Sequence, residues 1–329
     1  GPLQISSLSS SSGTVNLDGG TLTAPRVYKG SGTATWNFDG GILRAGATTS
    51  VFMQGLSNAF VQAGGAIVDT QGYSVTIAQP LLHDPTLGLP DGGLTKRGVG
   101  TLTLSAANTY TGSTVIEAGT LRVGNPAALG TGNLRIAAGG LLALAPGLVV
   151  EAAALDLAGG RVDIGDGRLE ITAGGIKAGT IRNALISGRG NGSWNGGEGV
   201  VSSTVAAAAA GSRTIGYRVA ADGAALIAFA APGDADLNGR VDVFDLVTIG
   251  SGGDYGTGAA ASWATGDMNY DGKANIFDMV AINAAGAYGQ GSYRSPAVTV
   301  VPEPEVFLSP ATAVGVCLAV IAGRRRTRR

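Results

Sequence analysis

Short runs of alternating apolar and polar residues recur through the first half of the chain. Thr101–Leu104 and residues 120–123 are two such runs, with Leu or Val at every second position. Because successive side chains of a strand point to opposite faces, this alternation predicts strands with one buried and one exposed face. Small turns containing Gly-Gly or Gly-Thr precede many of the runs, near Asp18, Asp39, Ala63, Ala118, Ala138, Ala158 and Ala173.

Several of these turns follow one another after about 20 to 24 residues. That period is typical of one coil of a β-solenoid, in which each strand pairs with its equivalent in the next coil. We therefore predict a mainly β fold, with a β-solenoid (β-helix) over residues 1–187 and a cap and linker over 188–232. An antiparallel β-sandwich is the structural alternative. Within the cap, Trp194 either plugs the end of the solenoid or stacks on a sugar.

The composition agrees with many short strands joined by tight turns. Glycine accounts for 56 of 329 residues and charged residues for only 14%, while 44% of residues are hydrophobic. The formal net charge is −1, and five of the last six residues are arginines. Without those arginines the chain carries about −6, so it has no distributed basic face of the kind that nucleic acids require. We expect no nucleic-acid partner.

Residues 233–289 contain one segment twice, and its second copy begins at Asp267, 33 residues after Asp234. In each copy, oxygen-bearing side chains occupy positions 1, 3, 5, 9 and 12 of a loop, and Gly239 or Gly272 occupies position 6. Calcium prefers such hard oxygen ligands, and glycine permits the sharp turn that brings them together. Apolar residues after each loop recur at helical spacing, which predicts one short helix behind each loop.

The duplication therefore predicts two calcium sites. Arg240 and Lys273 at position 7 would contribute only backbone carbonyls, with their charges pointing away from the ion. The alternative is a pair of Asp/Asn-rich turns that cap helices. The side-chain ligands expected are Asp234, Asp236, Asn238, Asp242 and Asp245 in the first loop, and Asp267, Asn269, Asp271, Asn275 and Asp278 in the second.

This loop-then-helix half of an EF-hand, duplicated and with Asp at position 12, resembles the type I dockerin module. The resemblance covers residues 233–289 and implies calcium binding and a cohesin-like partner. Two features depart from that family. The 33-residue spacing is longer, and Val243-Phe244 and Ile276-Phe277 stand where dockerins often carry Ser-Thr for cohesin recognition. Calcium binding is therefore expected to transfer better than cohesin binding.

A second resemblance covers residues 94–123. The stretch from Leu94 to Val123, with Asn108 and Tyr110 near its middle, is similar to the autotransporter-associated β-strand repeat. What this resemblance implies is a passenger-type β-helix in a secreted or surface protein of a bacterium, without a catalytic activity. Asn108 and Tyr110 are interpreted as a turn residue and a contact between coils.

The C-terminal region follows a polar linker at 290–300. Residues 306–323 are apolar, contain the single cysteine Cys317 and are long enough to cross a bilayer as a helix of about 27 Å. Pro302-Glu303-Pro304, this apolar run and the terminal arginines together resemble the PEP-CTERM sorting signal over 301–329, which implies recognition by an exosortase. A plain C-terminal membrane anchor is the alternative. Because the chain begins at Gly1 without a visible signal peptide, we expect a mature form or a fragment.

No catalytic constellation is recognisable, so we do not expect an enzyme. The acidic residues before position 232 are scattered, and His83, the only histidine, has no partner cysteine or histidine for a zinc site. The sequence favours a secreted or cell-surface structural or adhesion protein, with extracellular polysaccharide as a possible partner. One alternative is a dockerin-bearing accessory component of a polysaccharide-degrading assembly, and another is a β-helix polysaccharide lyase.

Overall fold

The computed structural model describes residues 1–172 and 178–293, which belong to one compact unit. The strands are β1 (Leu3–Ile5), β2 (Ser12–Leu17), β3 (Thr21–Ala24), β4 (Val27–Lys29), β5 (Thr33–Phe38), β6 (Ile42–Ala45), β7 (Thr49–Gln54), β8 (Asn58–Val61), β9 (Ala66–Asp69), β10 (Ser74–Ile77), β11 (Leu82–His83), β12 (Leu94–Arg97), β13 (Thr101–Leu104), β14 (Thr114–Ile116), β15 (Gly119–Val123), β16 (Leu134–Ala137), β17 (Gly140–Leu144), β18 (Val149–Ala152), β19 (Leu155–Ala158), β20 (Arg161–Asp163), β21 (Arg168–Ile171), β22 (Gly199–Val201), β23 (Thr214–Val219) and β24 (Ala225–Ala230). The α-helices are α1 (Ala178–Arg189), α2 (Ser203–Ala207), α3 (Val243–Ser251) and α4 (Ile276–Ala285).

Three sheets of parallel strands wind into a β-solenoid of about 8 turns. Sheet A has the order β1-β4-β7-β10-β13-β15-β17-β20-β22, sheet B the order β11-β8-β5-β2, and sheet C the order β19-β16-β14-β12-β9-β6-β3. Each coil thus contributes one strand to sheet A and one to sheet C. The β-solenoid prediction is confirmed, and the antiparallel sandwich is wrong because the strands of these sheets pair in parallel with the equivalent strands of neighbouring coils.

The predicted alternation places the apolar residues inside the solenoid. Leu102, Leu104, Leu121 and Val123 are all buried, while the threonines between the leucines of β13 are half-buried. The core continues through both the wide and the narrow coils, and its largest buried side chains in the first coils are Trp36, Phe38 and Phe52. Burial of apolar surface at about 25 cal/mol per Å² is the main term that stabilises such a stack.

The coils become shorter along the chain. In sheet A, Ser74 pairs with Thr101, 27 positions later, whereas Thr101 pairs with Thr120, only 19 positions later. The change coincides with the end of sheet B, whose last strand is β11. The period of 20 to 24 residues inferred from the turns therefore lies between two coil types, because the early coils carry an additional strand and the later ones do not.

Asn108 and Tyr110 occupy the place of sheet B in the first narrow coil. The Asn108 side chain accepts a hydrogen bond from the Leu81 amide at 2.9 Å and donates one to the Ala128 carbonyl at 2.6 Å. It therefore bridges the coil before it and the coil after it. The Tyr110 hydroxyl is buried and 2.6 Å from the Thr114 hydroxyl. These contacts agree with the predicted roles in a turn and between coils.

Lys96 is an exception to the polar-outside pattern. Its side chain points into the solenoid and is fully buried. The ammonium group donates to the carbonyls of Arg97, Gly98 and Ala118, at 2.9, 2.6 and 3.0 Å. Burial lowers the pKa of Lys96 to about 8. The lysine thus satisfies carbonyl groups of two successive coils at one corner, where an apolar residue would leave them unpaired.

His83 and Asp91 tie a loop to the next coil. The Asp91 carboxylate accepts from the amides of Gly93, Thr111 and Gly112 at 2.8–2.9 Å and lies 2.9 Å from His83 Nδ1. Burial by itself raises the pKa of Asp91, but these donors outweigh it and hold the pKa below its usual range. The pair therefore has a structural role in a part of the fold remote from the duplicated loops.

The segment predicted as cap and linker, 188–232, contains β22, α2 and the β23–β24 hairpin. In sheet D, β18 and β21 pair in parallel, and the hairpin then adds two antiparallel strands next to β21. The last strand of sheet A, β22, packs against α1. These elements change the strand direction and end the parallel stack.

Helices α3 and α4 follow the two duplicated loops where the apolar spacing predicts them. Asp242 and Asn275 are their N-caps, and Asp245 and Asp278 complete a capping box in each helix. The only other helical element within residues 233–293 is a 3₁₀ helix at Trp263–Thr265, directly before the second loop. Each helix thus begins with the last positions of its loop, so the loop geometry fixes where the helix starts.

The predicted sorting signal at 301–329 and its membrane-crossing run at 306–323 lie outside the described residues, as does most of the 290–300 linker. Among residues 1–172 and 178–293, no helix has the length and apolar character needed to cross a bilayer.

Asn108→Ala should destabilise the solenoid by about 2 to 4 kcal/mol, because it leaves one buried amide and one buried carbonyl without partners. Urea unfolding of the full chain measures this change. Asn133 is exposed and provides the matched control, for which Asn133→Ala should cost less than about 0.5 kcal/mol. Equal effects of the two substitutions would contradict the bridging role of Asn108.

Asp91 should stabilise the fold in a pH-dependent way. Since its pKa is depressed in the folded state, its contribution is fully present above the unfolded-state value of about 4 and is lost as the pH falls below it. The free energy of unfolding of the wild type should therefore exceed that of Asp91→Asn by about 2 kcal/mol at pH 6, and the gap should close towards pH 3. Asp18→Asn, at an exposed position, serves as the control and should show no such gap. A gap for Asp91→Asn that stays constant with pH would contradict the prediction.

Candidate metal-binding loops

Loop 1 (residues 234–245) brings three carboxylates together. Asp234, Asp236 and Asp245 each offer an oxygen, and these three atoms lie within 4.8 Å of one another. Asp234 and Asp245 are buried, and Asp236 is half-buried. Burial raises the pKa of Asp234 to about 7 and also raises the pKa of Asp245. Such a cluster favours a bound cation or a proton, because the carboxylates repel one another.

Backbone amides orient the carboxylates of loop 1. Asp245 accepts from the amides of Ala235 at 2.9 Å and Asp242 at 2.9 Å, so the last loop position is bonded to the first half of the loop. Asp234 accepts from the amides of Asn238 at 3.0 Å and Gly239 at 2.9 Å. The turn at Gly239 has a φ of +93°, a conformation that glycine adopts without strain.

Loop 2 (residues 267–278) repeats this arrangement. Asp278 accepts from the amides of Met268 at 2.8 Å and Asn275 at 2.9 Å, and Asp267 accepts from Gly272 at 3.0 Å. The turn at Gly272 has a φ of +90°, close to that of Gly239. The sequence duplication is therefore also a duplication of backbone geometry.

One oxygen of loop 2 has no partner. Asp267 is only 1% exposed, and its Oδ1 is buried without a hydrogen bond, while Oδ2 is fully engaged by Gly272 and Arg182. Burial raises the pKa of Asp267, and the positive charge of Arg182 opposes this rise. A buried acceptor left without a donor is costly, so the chemistry of this oxygen fits a cation at the centre of the loop.

The remaining predicted ligands lie at the rim of the loops. Asn238 and Asp271 are exposed, and Asp242, Asn269 and Asn275 are half-buried. Asp242 and Asn275 accept hydrogen bonds from the Phe244 and Phe277 amides at 2.8 Å, so they cap the helices. Both readings of the duplication thus have a basis in the structure, because the same loops cap helices and cluster oxygens. The side chains of Arg240 and Lys273 are exposed, as expected for position 7.

Both loops are attached to the end of the solenoid by arginines. Arg168 of β21 donates to the carbonyl of Leu237 at 3.4 Å, and Arg182 of α1 donates to the carbonyl of Tyr270 at 3.0 Å. Leu237 and Tyr270 are equivalent positions of the two loops, and both have a positive φ, of 61° and 66°. This conformation is uncommon for bulky residues, and the burial of both side chains holds it in place.

Aromatic side chains fill the space between the loops and the solenoid. Trp263 Nε1 donates to the Asp234 carbonyl at 2.7 Å, the Tyr270 hydroxyl donates to the Ile215 carbonyl in β23, and the Tyr293 hydroxyl donates to Asp234 Oδ2. Trp194 is buried, and its ring centroid lies 5.5 Å from that of Tyr270 in an edge-to-face contact. Trp194 therefore plugs the end of the solenoid and is not available to stack on a sugar.

Four residues that support the loops were not predicted from sequence: Arg182, Trp263, Tyr270 and Tyr293. Trp263 and Tyr293 are outside the two loops, and Arg182 precedes Asp267 by 85 positions. The loop pattern carries no information on them because they act through tertiary contacts. The one available signal was the occurrence of aromatic residues within an otherwise aromatic-poor chain, of which 5% is Phe, Trp or Tyr.

Residues 94–123 match the family described as Passenger-associated-transport-repeat. This match agrees with the resemblance to autotransporter-associated repeats, and the structure places these residues in β12 to β15 of the solenoid. No solved structure matches the chain significantly.

Over 68 residues the chain is 41% identical to the adhesin BmaC autotransporter of Brucella suis biovar 1 (strain 1330). The aligned stretch covers 21% of this chain and 2% of that adhesin. The chain is therefore similar to a short part of an autotransporter adhesin, within a much longer protein.

Proposed function

We propose that this chain is a non-catalytic secreted or cell-surface protein with a structural or adhesive role, in which two calcium ions stabilise the C-terminal end of a β-solenoid. The observation that carries the proposal is the direct attachment of the duplicated acidic loops to the last elements of the solenoid. The similarity of part of the chain to an autotransporter adhesin supports the surface role.

Calcium is the cation that this set of donors fits best. The donors are oxygens from carboxylates and amides, with no cysteine or histidine in either loop, which favours a hard ion such as calcium or magnesium. Asp234, Asp236, Asn238, Asp242 and Asp245 would hold one ion, and Asp267, Asn269, Asp271, Asn275 and Asp278 the other, with carbonyls of Arg240 and Lys273. The ions would neutralise the buried carboxylates and so couple metal affinity to folding.

The proposed location includes the C-terminal segment. Its resemblance to a PEP-CTERM signal supports sorting to the bacterial surface by an exosortase, with transient or stable anchoring through residues 306–323. Extracellular polysaccharide is a candidate ligand for the polar outer faces of the solenoid.

The double variant Asp234→Ala/Asp267→Ala should lose calcium binding and leave residues 233–293 unfolded at millimolar calcium. The wild-type chain should bind about two ions, with the affinity of about 10⁻⁴ M or better that extracellular calcium modules need. Titration calorimetry of the full chain measures the binding, and far-UV circular dichroism with limited proteolysis measures the folding.

Asp254→Ala provides the control, because Asp254 lies between the two loops and belongs to neither. This variant should bind calcium like the wild type. A wild-type chain that binds no calcium, or a double variant that retains the helical signal and resists proteolysis, would overturn the calcium role.

A second candidate function is docking to a cohesin-like partner. The observation in its favour is the exposure of apolar side chains on both duplicated helices: Phe244 is 71% exposed and Phe277 68%, and Val247 and Val280 are also exposed. Large exposed apolar side chains at equivalent places mark surfaces that bind other proteins. This function would make the chain an accessory part of a larger assembly.

The two candidates differ in a pull-down with a purified cohesin. If docking is the function, the cohesin should retain the wild-type chain in calcium, and Phe244→Ser/Phe277→Ser should reduce retention at least about tenfold, as for loss of interface anchors. The double substitution should leave calcium binding unchanged. Absence of retention of the folded, calcium-loaded wild type would reject this second function and leave the structural one.

A further inference from the structure

The two loops differ in electrostatic charge although their backbones are equivalent. Loop 1 has four aspartates among its five ligand positions, and loop 2 has three, with asparagine at two positions. Calcium affinity in such loops rises with the number of charged ligands. The difference in sequence alone therefore makes loop 2 the weaker site, and the surroundings of the first aspartate increase the difference.

The first aspartate of each loop receives a different partner from outside the loop. In loop 1 the Tyr293 hydroxyl, a neutral group, donates to Asp234 Oδ2. In loop 2 the Arg182 guanidinium lies 3.4 Å from Asp267 Oδ2. This Arg182 side chain is only 27% exposed and Asp267 is 1% exposed, so solvent screens the pair less than a surface ion pair.

The contact with Arg182 has two possible effects on calcium, and the geometry decides between them. A neighbouring donor can orient a ligand and so strengthen binding. Here the amide of Gly272, at 3.0 Å, already orients Asp267, and the Arg182 contact is longer. The main effect of Arg182 is therefore its charge, which neutralises part of the carboxylate that faces the cation and repels the cation itself.

We propose that Arg182 makes loop 2 the weaker of two unequal calcium sites, so that loop 1 fills first and loop 2 fills at higher calcium. This inference rests on the calcium binding proposed above. Arg182 belongs to α1, at the end of the solenoid, so it acts on the metal site as a positioning residue from another part of the fold. The unpartnered Oδ1 of Asp267 remains available for the ion while Oδ2 is held by Gly272 and Arg182.

Calcium titration calorimetry of the full chain tests the proposal. The wild type should show two binding steps with different dissociation constants. Arg182→Gln removes the charge, and it should tighten the weaker step by about five- to tenfold without changing the stronger step. Arg182→Lys retains the charge and should keep the weaker step weak, which separates the effect of charge from the effect of packing.

Arg168→Gln is the matched control. Arg168 holds the equivalent carbonyl of loop 1 but forms no ion pair with a carboxylate among the described residues, so its removal should leave the affinity of loop 2 unchanged. In an Asp267→Ala background, Arg182→Gln should have no effect on the remaining binding step, which assigns the tightened step to loop 2. Circular dichroism verifies that each variant is folded.

The possible outcomes separate this inference from the proposed function. If the wild type binds two ions but Arg182→Gln leaves the weaker step unchanged or weakens it, the role of Arg182 is wrong and the calcium sites remain. If the wild type binds no calcium up to millimolar concentration, the proposed calcium function itself is wrong.

Discussion

A stack of parallel strands has an open edge at its last coil, and the C-terminal half of this chain is organised around that constraint. The final strands of a solenoid offer backbone donors, acceptors and apolar side chains that no further coil covers. Helix α1 packs on β22, the last strand of sheet A, and the β23–β24 hairpin extends sheet D with antiparallel strands. The duplicated loops then pack on the hairpin through Trp263 and Tyr270. The loops are thus part of the cap as well as candidate metal sites.

Features that repeat along the chain could be predicted from the sequence, and contacts between distant segments could not. The alternation at Leu102 and Leu104 predicted a half-buried strand because one short stretch contains the whole signal. The spacing of oxygens from Asp234 to Asp245 predicted that side chains would converge, since the loop itself brings them together. By contrast, the contact of Arg182 with Asp267 depends on how α1 packs against residues 85 positions away, and no local pattern records that distance.

Buried polar side chains hold the coils together around the place where sheet B ends. Asn108, Lys96 and Asp91 each bond to backbone groups of more than one coil, and each is almost fully buried. In a low-dielectric interior such groups are favourable only when their partners are present. They therefore fix how one coil lies on the next, which apolar contacts alone specify less strictly. The polar-outside pattern missed Lys96 because it treats every charged residue as exposed.

The loss of sheet B also changes how far the protein extends for each residue that the cell synthesises. Neighbouring coils are separated by the distance between paired strands, about 4.8 Å. A coil of 27 residues, as from Ser74 to Thr101, therefore advances the solenoid by about 0.18 Å per residue, and one of 19 residues, as from Thr101 to Thr120, by about 0.25 Å. The narrow coils give about 40% more length from the same amount of polypeptide. For a protein that holds a binding surface away from a cell, this is an economy of material, obtained by replacing a strand with a bend that Asn108 and Tyr110 stabilise.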